Sequence, residues 1–272
     1  MKKRLITTVS TLSMLCVSGL ASAGFAEGKA AMLAEKYDIA KAEFEPLAKN
    51  GDAKSQYIMG IINDDGLGQD RDYKTASSWY TKAGNQGDIN AQYNLGVMYS
   101  KGQGVGANAE QSVSWYRKAA DQNFPLAQFA LADMYMKGWG VKTSPSDAAK
   151  WFERAAKQKH YKSQLMLGIL YLEGNGVKKD KQKAAEWIKK SAEQGHYKAQ
   201  YTLGMMYREG IGMKRDLVLA YALLDIATRE GHASAQNMRD ELISDMTKEQ
   251  VEKAKIITGK WQTGKPISIT HS

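Results

Sequence analysis

The chain has 272 residues, a formal net charge of +9 and one cysteine. A single cysteine excludes an internal disulfide framework and a cysteine metal site. The basic residues are mixed with acidic ones, as in residues 178–181, which is typical of solvated helix faces. There is no dense basic stripe of the kind that binds nucleic acid, but a mild preference for an acidic partner or an anionic surface stays open.

The first 23 residues have the pattern of a secretory signal. Residues 2–4 are basic, residues 5–20 form an apolar run, and Ala-Ser-Ala at 21–23 is a small-residue cleavage site. The apolar run is shorter than a membrane span needs. We therefore expect cleavage after Ala23, no membrane span in the mature protein, and a periplasmic or secreted location.

A fixed period of 36 residues runs through most of the remaining chain. The residues that repeat at this interval include a glutamine series, a glycine series and a tryptophan series: Gln56, Gln92, Gln128, Gln164, Gln200 and Gln236; Gly66, Gly102, Gly138, Gly174 and Gly210; Trp79, Trp115, Trp151 and Trp187. Such a period predicts stacked supersecondary units. Apolar residues at helical spacing, such as Ala199, Leu203 and Met206, make each unit a helix-turn-helix. The predicted fold is an all-α, right-handed α/α solenoid with helical caps at both ends.

The period also sets the expected organisation in chain order. After the signal (1–23) we expect an N-terminal capping half-repeat (24–50), whose first helix spans about 30–36. Five full repeats and a partial sixth follow (51–243), then a C-terminal capping helix (244–264) and a flexible tail (265–272). The full repeats are 51–86, 87–122, 123–158, 159–194 and 195–230.

Local signals mark where the helices begin and end. A Gly-x-Gly turn, which supplies positive φ, ends each first helix. Preferred N-cap residues then begin the second helices at Asp72, Asn108, Ser144, Asp180 and Asp216. Thr247 and Gln250 form a capping-box pattern before the last helix. Small residues recur where helices should touch, at Gly60, Gly96, Ala132, Gly168 and Gly204.

The repeated motif resembles the Sel1-like repeat family. It reads Ala-x-x-x-Leu-Gly-x-x-Tyr, then Gly-x-Gly-Val, then Ala-x-x-Trp-Tyr-x-x-Ala-Ala, and the resemblance covers about residues 50–243. It departs from the pattern at Gln69 and at Leu223-Leu224-Asp225. The resemblance implies an α/α solenoid related to tetratricopeptide repeats, with protein-binding and adaptor roles, often at the bacterial envelope. Some secreted members are described as penicillin-binding or β-lactamase-like, and others as candidate immunity proteins against phospholipase effectors.

Catalytic and cofactor sites are not expected. The chain has no Ser-x-x-Lys, Lys-Thr-Gly, Gly-x-Ser-x-Gly or His-Glu-x-x-His motif. The Gly-x-Gly turns lack the preceding strand of a phosphate-binding loop. His160, His196 and His232 occupy one repeat phase, but equivalent positions on stacked units should lie too far apart to share a metal ion. We expect them to be polar surface positions at helix starts, with no metal and no cofactor.

The better functional candidate is the surface formed by the first helices. If the solenoid curves as its relatives do, these helices line a concave face suited to a peptide or helix. Repeat phase places the following residues on that face: Tyr57, Ile61, Tyr93, Val97, Phe129, Met136, Leu165, Ile169, Leu172, Tyr201, Met205 and Arg208. The alternative, that the aromatic ladder within this set packs helix on helix, stays open. Trp139, inside a turn, is a further candidate anchor, and the tryptophans of the second helices are expected to pack between repeats.

The sequence therefore predicts an exported protein, not an enzyme, that binds a protein or peptide partner in the cell envelope through its concave surface, as an adaptor or assembly factor. One alternative is an immunity protein that neutralises a periplasmic effector such as a secreted phospholipase. A weaker alternative is a β-lactamase-like or cell-wall-peptide hydrolase.

Overall fold

The computed structural model describes residues 23–263 and 265. The predicted signal, except its last residue, and nearly all of the predicted tail lie outside the described residues. Within them the chain forms fourteen helices and no strand. The helices are α1 (23–33), α2 (Tyr37–Lys49), α3 (Ala53–Asp65), α4 (Tyr73–Asn85), α5 (Ile89–Lys101), α6 (Ala109–Asp121), α7 (Pro125–Lys137), α8 (Pro145–Lys157), α9 (Tyr161–Glu173), α10 (Lys181–Glu193), α11 (Tyr197–Glu209), α12 (Leu217–Arg229), α13 (Ala235–Ile243) and α14 (Lys248–Lys260).

The ends of these helices are fixed by the residues that the sequence singled out. Each odd-numbered helix from α3 to α11 ends at a glycine of the Gly-x-Gly turn in the left-handed conformation, with φ between 67° and 77°. The even-numbered helices from α4 to α12 begin at the five predicted N-cap residues, and each cap side chain accepts a hydrogen bond from the backbone N–H three residues on. The capping box of Thr247 and Gln250 is present at the start of α14. The predicted all-α solenoid fold class is confirmed.

One helix differs from its prediction. We expected a short helix over 30–36, whereas α1 spans 23–33 and a turn at 34–35 follows it. Glu35 in that turn has a positive φ of 55°, which a helix cannot accommodate. The structure thus starts the helix seven residues earlier than predicted and ends it three residues earlier, so that only residues 30–33 of the predicted segment are helical.

The described chain divides into two compact units after Gln122. Unit 1 contains α1 to α6, and its core includes Phe44, Ile62, Tyr80 and Leu95. Unit 2 contains α7 to α14, and its core is built in the same way from the facing sides of consecutive helices.

A ladder of glutamines ties consecutive helices together inside each unit. Gln92 is buried on α5; its Nε2 donates to the Gly84 carbonyl at 2.9 Å, and its Oε1 accepts from Gln122 Nε2 at 2.8 Å. Gln122 also donates to the Gly87 carbonyl at 3.1 Å. Equivalent side-chain pairs join Gln86 to Gln56, Gln158 to Gln128 and Gln194 to Gln164. The repeated glutamine of the sequence therefore satisfies buried backbone carbonyls that would otherwise lack a partner.

The ladder is incomplete in the last full repeat. Glu230 occupies the position of the donating glutamine, and an ionised carboxylate has no proton to donate. Accordingly, Gln200 Oε1 is buried and has no hydrogen-bond partner among the described residues, although Nε2 of the same residue still reaches the Ala192 carbonyl at 3.3 Å.

The small residues lie where the two helices of a hairpin meet. A Cβ added at Gly60 would stand 2.3 Å from a ring carbon of Tyr80, and one at Gly96 would stand 2.4 Å from a ring carbon of Tyr116. The aromatic ring of the second helix thus fills the space that a side chain on the first helix would need. Ile188 and Leu224 fill the equivalent space beside Gly168 and Gly204.

The C-terminal helices close unit 2 by packing on α12. Asp225, which departs from the repeat motif, is 7% exposed and receives Arg239 Nη1 at 2.7 Å and Arg229 Nη2 at 2.8 Å. Arg239 belongs to α13, so this paired carboxylate connects α13 to α12. A buried carboxylate is tolerated here because two guanidinium groups neutralise it.

Candidate functional site

The N-terminal ends of the first helices in unit 2 carry a continuous row of aromatic rings. The row consists of Phe129, His160, Tyr161, His196, Tyr197, Tyr201 and His232, and it is called here the aromatic stripe. Neighbouring ring centroids lie 4.2–5.9 Å apart. Such separations are those of interacting aromatic pairs. Tyr201 and His232 stack at 4.2 Å with nearly parallel planes, whereas Tyr161 and His196 meet edge to face at 4.8 Å.

Helix starts position the rings of the stripe. His160 is the N-cap of α9, and its Nδ1 accepts from the Ser163 backbone N–H at 3.3 Å. His196 is the N-cap residue of α11 but makes no side-chain cap; its Nδ1 instead lies 3.2 Å from Ser191 Oγ. Tyr161 and Tyr197 are the first residues of the same two helices. His196 lies between Tyr161 of the preceding first helix and Tyr197 of its own helix. His160 lies between Phe129 of the preceding first helix and Tyr161 of its own.

Two histidines of the stripe, His160 and His196, have lowered pKa values. Burial lowers the pKa of the His196 imidazole to about 4, and the charges of Lys198 and Lys162 act in the same direction. Burial also lowers the pKa of His160, with a further contribution from Lys162. The positive end of the helix dipole at an N-terminus likewise disfavours an imidazolium. At neutral pH these rings therefore behave as flat, weakly polar contact surfaces rather than as charges.

These positions correct one expectation. His160, His196 and His232 were expected to be polar surface residues, but they are half-buried rings in stacking contact with tyrosines. Among the described residues, no group of three or more His, Cys, Asp and Glu side chains could hold a metal ion.

In unit 1 the predicted face residues form two separate aromatic pairs. Tyr57 packs on Tyr80 with ring centroids 5.9 Å apart, and Tyr93 packs on Tyr116 at 5.6 Å. Burial raises the pKa of both Tyr57 and Tyr93. Ile61 and Val97, one turn further along the same helices, are also half-buried. Tyr57 and Tyr93 thus pack on the second helix of their own hairpins, and all four side chains remain partly exposed.

In unit 2 the predicted residues fall into three groups. Phe129 packs on Phe152 at 5.6 Å and belongs to the stripe, as does Tyr201. Met136, Ile169, Leu172 and Met205 are half-buried, and the first three pack against the edge of a core cluster. Arg208 lies 3.4 Å from Glu241 Oε2 on α13, so its charge is partly used within the chain.

Leu165 is a correction to the predicted face. It is only 7% exposed because it lies in the same core cluster as Ala185 and Ile188 of α10. A partner could reach almost none of its side chain.

The tryptophans lie in two kinds of environment. Trp139 is 45% exposed at the tip of the turn between α7 and α8, where a contact anchor would need it. Trp79, Trp115, Trp151 and Trp187 are buried or half-buried and pack against core clusters. Each also lies under a cation three residues later on its helix, for example Lys118 Nζ at 3.7 Å from the centre of the Trp115 ring.

Tyr161 and Tyr197 are residues that the sequence reasoning missed. Tyr161 is 38% exposed, and together the two tyrosines link the three histidines. The sequence does contain a signal for them. The first residue of the first helix is Ala53 or Ile89 in unit 1, and it is an aromatic residue only in unit 2. Phase alone does not indicate that a first helical residue turns back towards the preceding cap.

Stacked helix-turn-helix units with Gly-x-Gly turns define an α/α solenoid of repeated hairpins. The Sel1 repeat model matches residues 53–88, 89–124, 125–160, 162–196 and 198–232. Since these five segments make up most of the sequence, the chain belongs to the Sel1 repeat family.

Solved structures agree with this assignment. A protective antigen from uropathogenic Escherichia coli with an SLR fold is 32% identical, with a TM-score of 0.81 over 88% of this chain and 52% of that chain. The chain therefore spans about half the length of that antigen. A Sel1 repeat protein from Oxalobacter formigenes is also 32% identical, with a TM-score of 0.74 over 78% of this chain and 87% of that chain. No curated protein matches the chain. In the part of the chain that the structure describes, each helix is too short or too polar to cross a bilayer.

Proposed function

We propose that this protein is an adaptor or assembly factor of the cell envelope that binds another protein and catalyses no reaction. The aromatic stripe of unit 2 is the main contact surface. One observation carries this proposal: successive helix starts in unit 2 present exposed or half-exposed rings at positions where unit 1 has aspartate caps.

Replacing an aspartate cap by an aromatic ring does not improve the stability of the helix start. A capping aspartate stabilises a helix start by about 1 kcal/mol relative to a residue that does not cap. His196 gives up that hydrogen bond, and Tyr161 leaves more than a third of its surface in water. Tyrosine is enriched in the central residues of protein interfaces, because its ring buries a large area and its hydroxyl retains a polar contact.

The stripe also indicates the chemistry of the partner. Its rings offer apolar faces, and the exposed Lys162 and Lys198 lie one residue after the two tyrosines. A segment with apolar side chains and neighbouring carboxylates would match both features. Because the rings are held by each other and by the helix ends, little conformational entropy is lost on binding.

The predicted face extends this surface. Met136, Ile169, Leu172, Met205 and Arg208 lie further along the same first helices of unit 2, and we assign them to the periphery of the contact. Tyr57, Ile61, Tyr93 and Val97 of unit 1 form a second, smaller contact surface in this proposal. Export by the signal pattern of residues 1–23 would place both in the periplasm or outside the cell.

The test is a double variant, Tyr161→Ala with Tyr197→Ala. We expect the purified wild-type protein to capture a specific partner from an envelope extract and to bind that partner, once purified, in a defined stoichiometry. The double variant should bind it at least ten times more weakly, on the scale of interface hot spots, with an unchanged far-UV circular dichroism spectrum. The matched control is Leu33→Ala with Ile39→Ala, which removes two exposed apolar side chains from unit 1 and should leave binding unchanged.

Equal binding by the double variant and the wild type would refute the role of the stripe. The identity of the partner decides the biological role. A partner whose toxicity is suppressed in the complex would replace the adaptor role with the immunity role. Turnover of a chromogenic β-lactam by the purified protein would overturn the non-catalytic proposal.

A further inference from the structure

The turns that join the first and second helices of unit 2 form one edge of that unit, called here the turn edge. It comprises residues 138–144, 174–180 and 210–216. Neighbouring members of the edge are in backbone contact, since a Cβ on Gly176 would stand 2.3 Å from the Pro145 carbonyl oxygen, and one on Gly212 would stand 2.0 Å from the Lys181 carbonyl oxygen. Only glycine allows this approach, so the turns are stacked at a fixed spacing.

The turn edge carries an excess of basic side chains. Its exposed cationic side chains, together with that of the next helical residue of α10, are Lys142, Lys178, Lys179, Lys181, Lys214 and Arg215. None of these six takes part in an ion pair among residues 23–263 and 265. Asp180 and Asp216 also lie on the edge as helix caps, and their carboxylates offset two of these six positive charges. Glu173 and Glu209, at the ends of the first helices, offset only part of the positive charge.

The corresponding turns of unit 1 do not share this property. Residues 66–72 contain Arg71 between Asp70 and Asp72, and residues 102–108 contain no charged side chain. The Gly-x-Gly turn therefore does not need lysine for its fold. The basic side chains are an addition that only unit 2 carries.

Two further features make the edge amphipathic. Trp139, 45% exposed, stands at the tip of the first turn. Beside the last turn lies an open cavity whose lining includes Met213, Lys214, Arg215 and Gln250. Trp is the side chain preferred at the boundary between water and lipid, where its ring is buried and its N–H remains solvated.

We propose that the turn edge of unit 2 docks on an anionic lipid surface. Neighbouring helical hairpins lie roughly 10 Å apart, so the cations are spread along a row of turn tips rather than gathered around one point. A row of protruding cations ended by a tryptophan fits the plane of phosphate headgroups, whereas an acidic peptide would need a groove that the cations line. The lysines and the arginine contact the headgroups, and Trp139 inserts at the interface. This inference does not depend on the aromatic stripe, which lies at the opposite ends of the same first helices.

Sedimentation with vesicles tests the proposal. The purified protein is mixed with vesicles of phosphatidylcholine alone, or of phosphatidylcholine with roughly a third of phosphatidylglycerol, at low and at physiological salt. We expect binding only to the anionic vesicles and weakening with salt, because surface charges are screened. Lys178→Glu with Lys179→Glu should lower the partition constant by about ten-fold or more, since each basic residue near an anionic membrane contributes about a five-fold factor. Trp139→Ala should weaken binding with little change in its salt dependence.

The control is Lys157→Glu with Lys159→Glu, which makes the same change of charge at the opposite ends of the helices, at the last residue of α8 and in the turn that follows it. It should leave lipid binding nearly unchanged. Equal binding to neutral and anionic vesicles, or equal loss in the control and the test variant, would overturn the proposal. A lack of binding to any vesicle would overturn it as well. If the same edge then bound polyglutamate in a salt-sensitive way, the edge would be assigned to an acidic protein instead. The variants Tyr161→Ala and Tyr197→Ala should keep lipid binding, so failure of this proposal is distinguishable from failure of the proposed function.

Discussion

The two units share one backbone plan but use the starts of their first helices differently. In unit 1 the caps of α3 and α5 are Asp52 and Asp88, whose carboxylates accept from backbone N–H groups at 2.7 Å and 2.8 Å. In unit 2 the equivalent residues of α9 and α11 are His160 and His196, and their rings stack against tyrosines. The comparison shows that the hairpin stack tolerates the loss of a good cap. The same repeat position therefore holds a capping carboxylate in unit 1 and a stacked aromatic ring in unit 2.

Charge separates the units in the same sense. Residues 23–122 contain 11 Lys and Arg against 13 Asp and Glu, a net charge of −2, whereas residues 123–265 contain 24 against 16, a net charge of +8. The difference is concentrated at element ends, which the fold leaves free to vary. The two units thus differ in charge at the solvent-facing ends of their repeats, whereas their packed helix faces are similar.

Substitutions at the glycines where the two helices of a hairpin meet should have the largest effects on stability, and the effect should follow the available space. Gly96→Ala in unit 1 places a Cβ 2.4 Å from the buried Tyr116 ring, whereas Gly204→Ala in unit 2 places one 3.0 Å from Leu224. We expect Gly96→Ala to lower the free energy of unfolding by about 1–3 kcal/mol, as overpacking does, and Gly204→Ala to lower it by less. Denaturant unfolding followed by circular dichroism measures both. Equal losses would show that the two hairpin interfaces have the same capacity to adjust.

Exchanging the caps tests the comparison directly. Asp88→His replaces the carboxylate that accepts from the Ala91 backbone N–H at 2.8 Å by an imidazole, whose cap at His160 is longer, 3.3 Å. We expect a cost of at most about 1 kcal/mol of stability. His196→Asp should recover a similar amount, because Asp both caps and favours a helix N-terminus, while weakening partner binding through loss of a ring. Thermal melts and binding titrations on the same preparations give the two readouts. Loss of stability in both variants would mean that the ring contacts of His196 contribute more to the free energy of unfolding than an aspartate cap would.

The incomplete glutamine ladder offers a stabilising change. Glu230→Gln restores the donor that Gln86 and Gln122 supply in unit 1, and it should satisfy the orphaned Gln200 Oε1. We expect a gain of about 1 kcal/mol, the usual net contribution of one hydrogen bond. Gln122→Glu is the reciprocal control and should destabilise unit 1. An unchanged midpoint of denaturant unfolding for Glu230→Gln would show that solvent already satisfies this oxygen.

The smallest expected difference is a pH dependence confined to unit 2, since residues 23–122 contain no histidine. His196 has a folded-state pKa of about 4 against an ordinary value of 6.5, so the unfolded chain takes up the proton first as the pH falls. Stability from this group is complete above about pH 6.5 and is lost progressively between there and pH 4, with His160 acting in the same direction. Hydrogen exchange resolved by unit at pH 7 and 5.5 checks this. His196→Gln should flatten the profile of unit 2, and a steeper profile in unit 1 would contradict the assignment.

Much of this fold could be predicted from the sequence because its signals are local and repeated. Gly138 and Ser144 mark a helix end and a helix start by backbone chemistry alone, and repetition multiplies that evidence. The solvent-facing site could be predicted only in part. Burial of Leu165 depends on Ile188 of the next helix, and the row from Phe129 to His232 depends on which way side chains turn at adjacent helix starts. Such contacts join residues from separate hairpins, and phase supplies the register but not the side-chain direction.

The glutamine ladder has a consequence for how such a gene can change length. Each rung joins a side chain to partners eight residues before and thirty residues after it, as Gln92 does with Gly84 and Gln122. Inserting or deleting a single codon inside a hairpin would break two rungs at once and leave buried amide groups without hydrogen-bond partners. Growth or shrinkage by duplication or loss of a whole hairpin leaves every rung intact. The hydrogen bonds of one glutamine side chain per repeat thus favour insertions and deletions of whole hairpins over shorter ones.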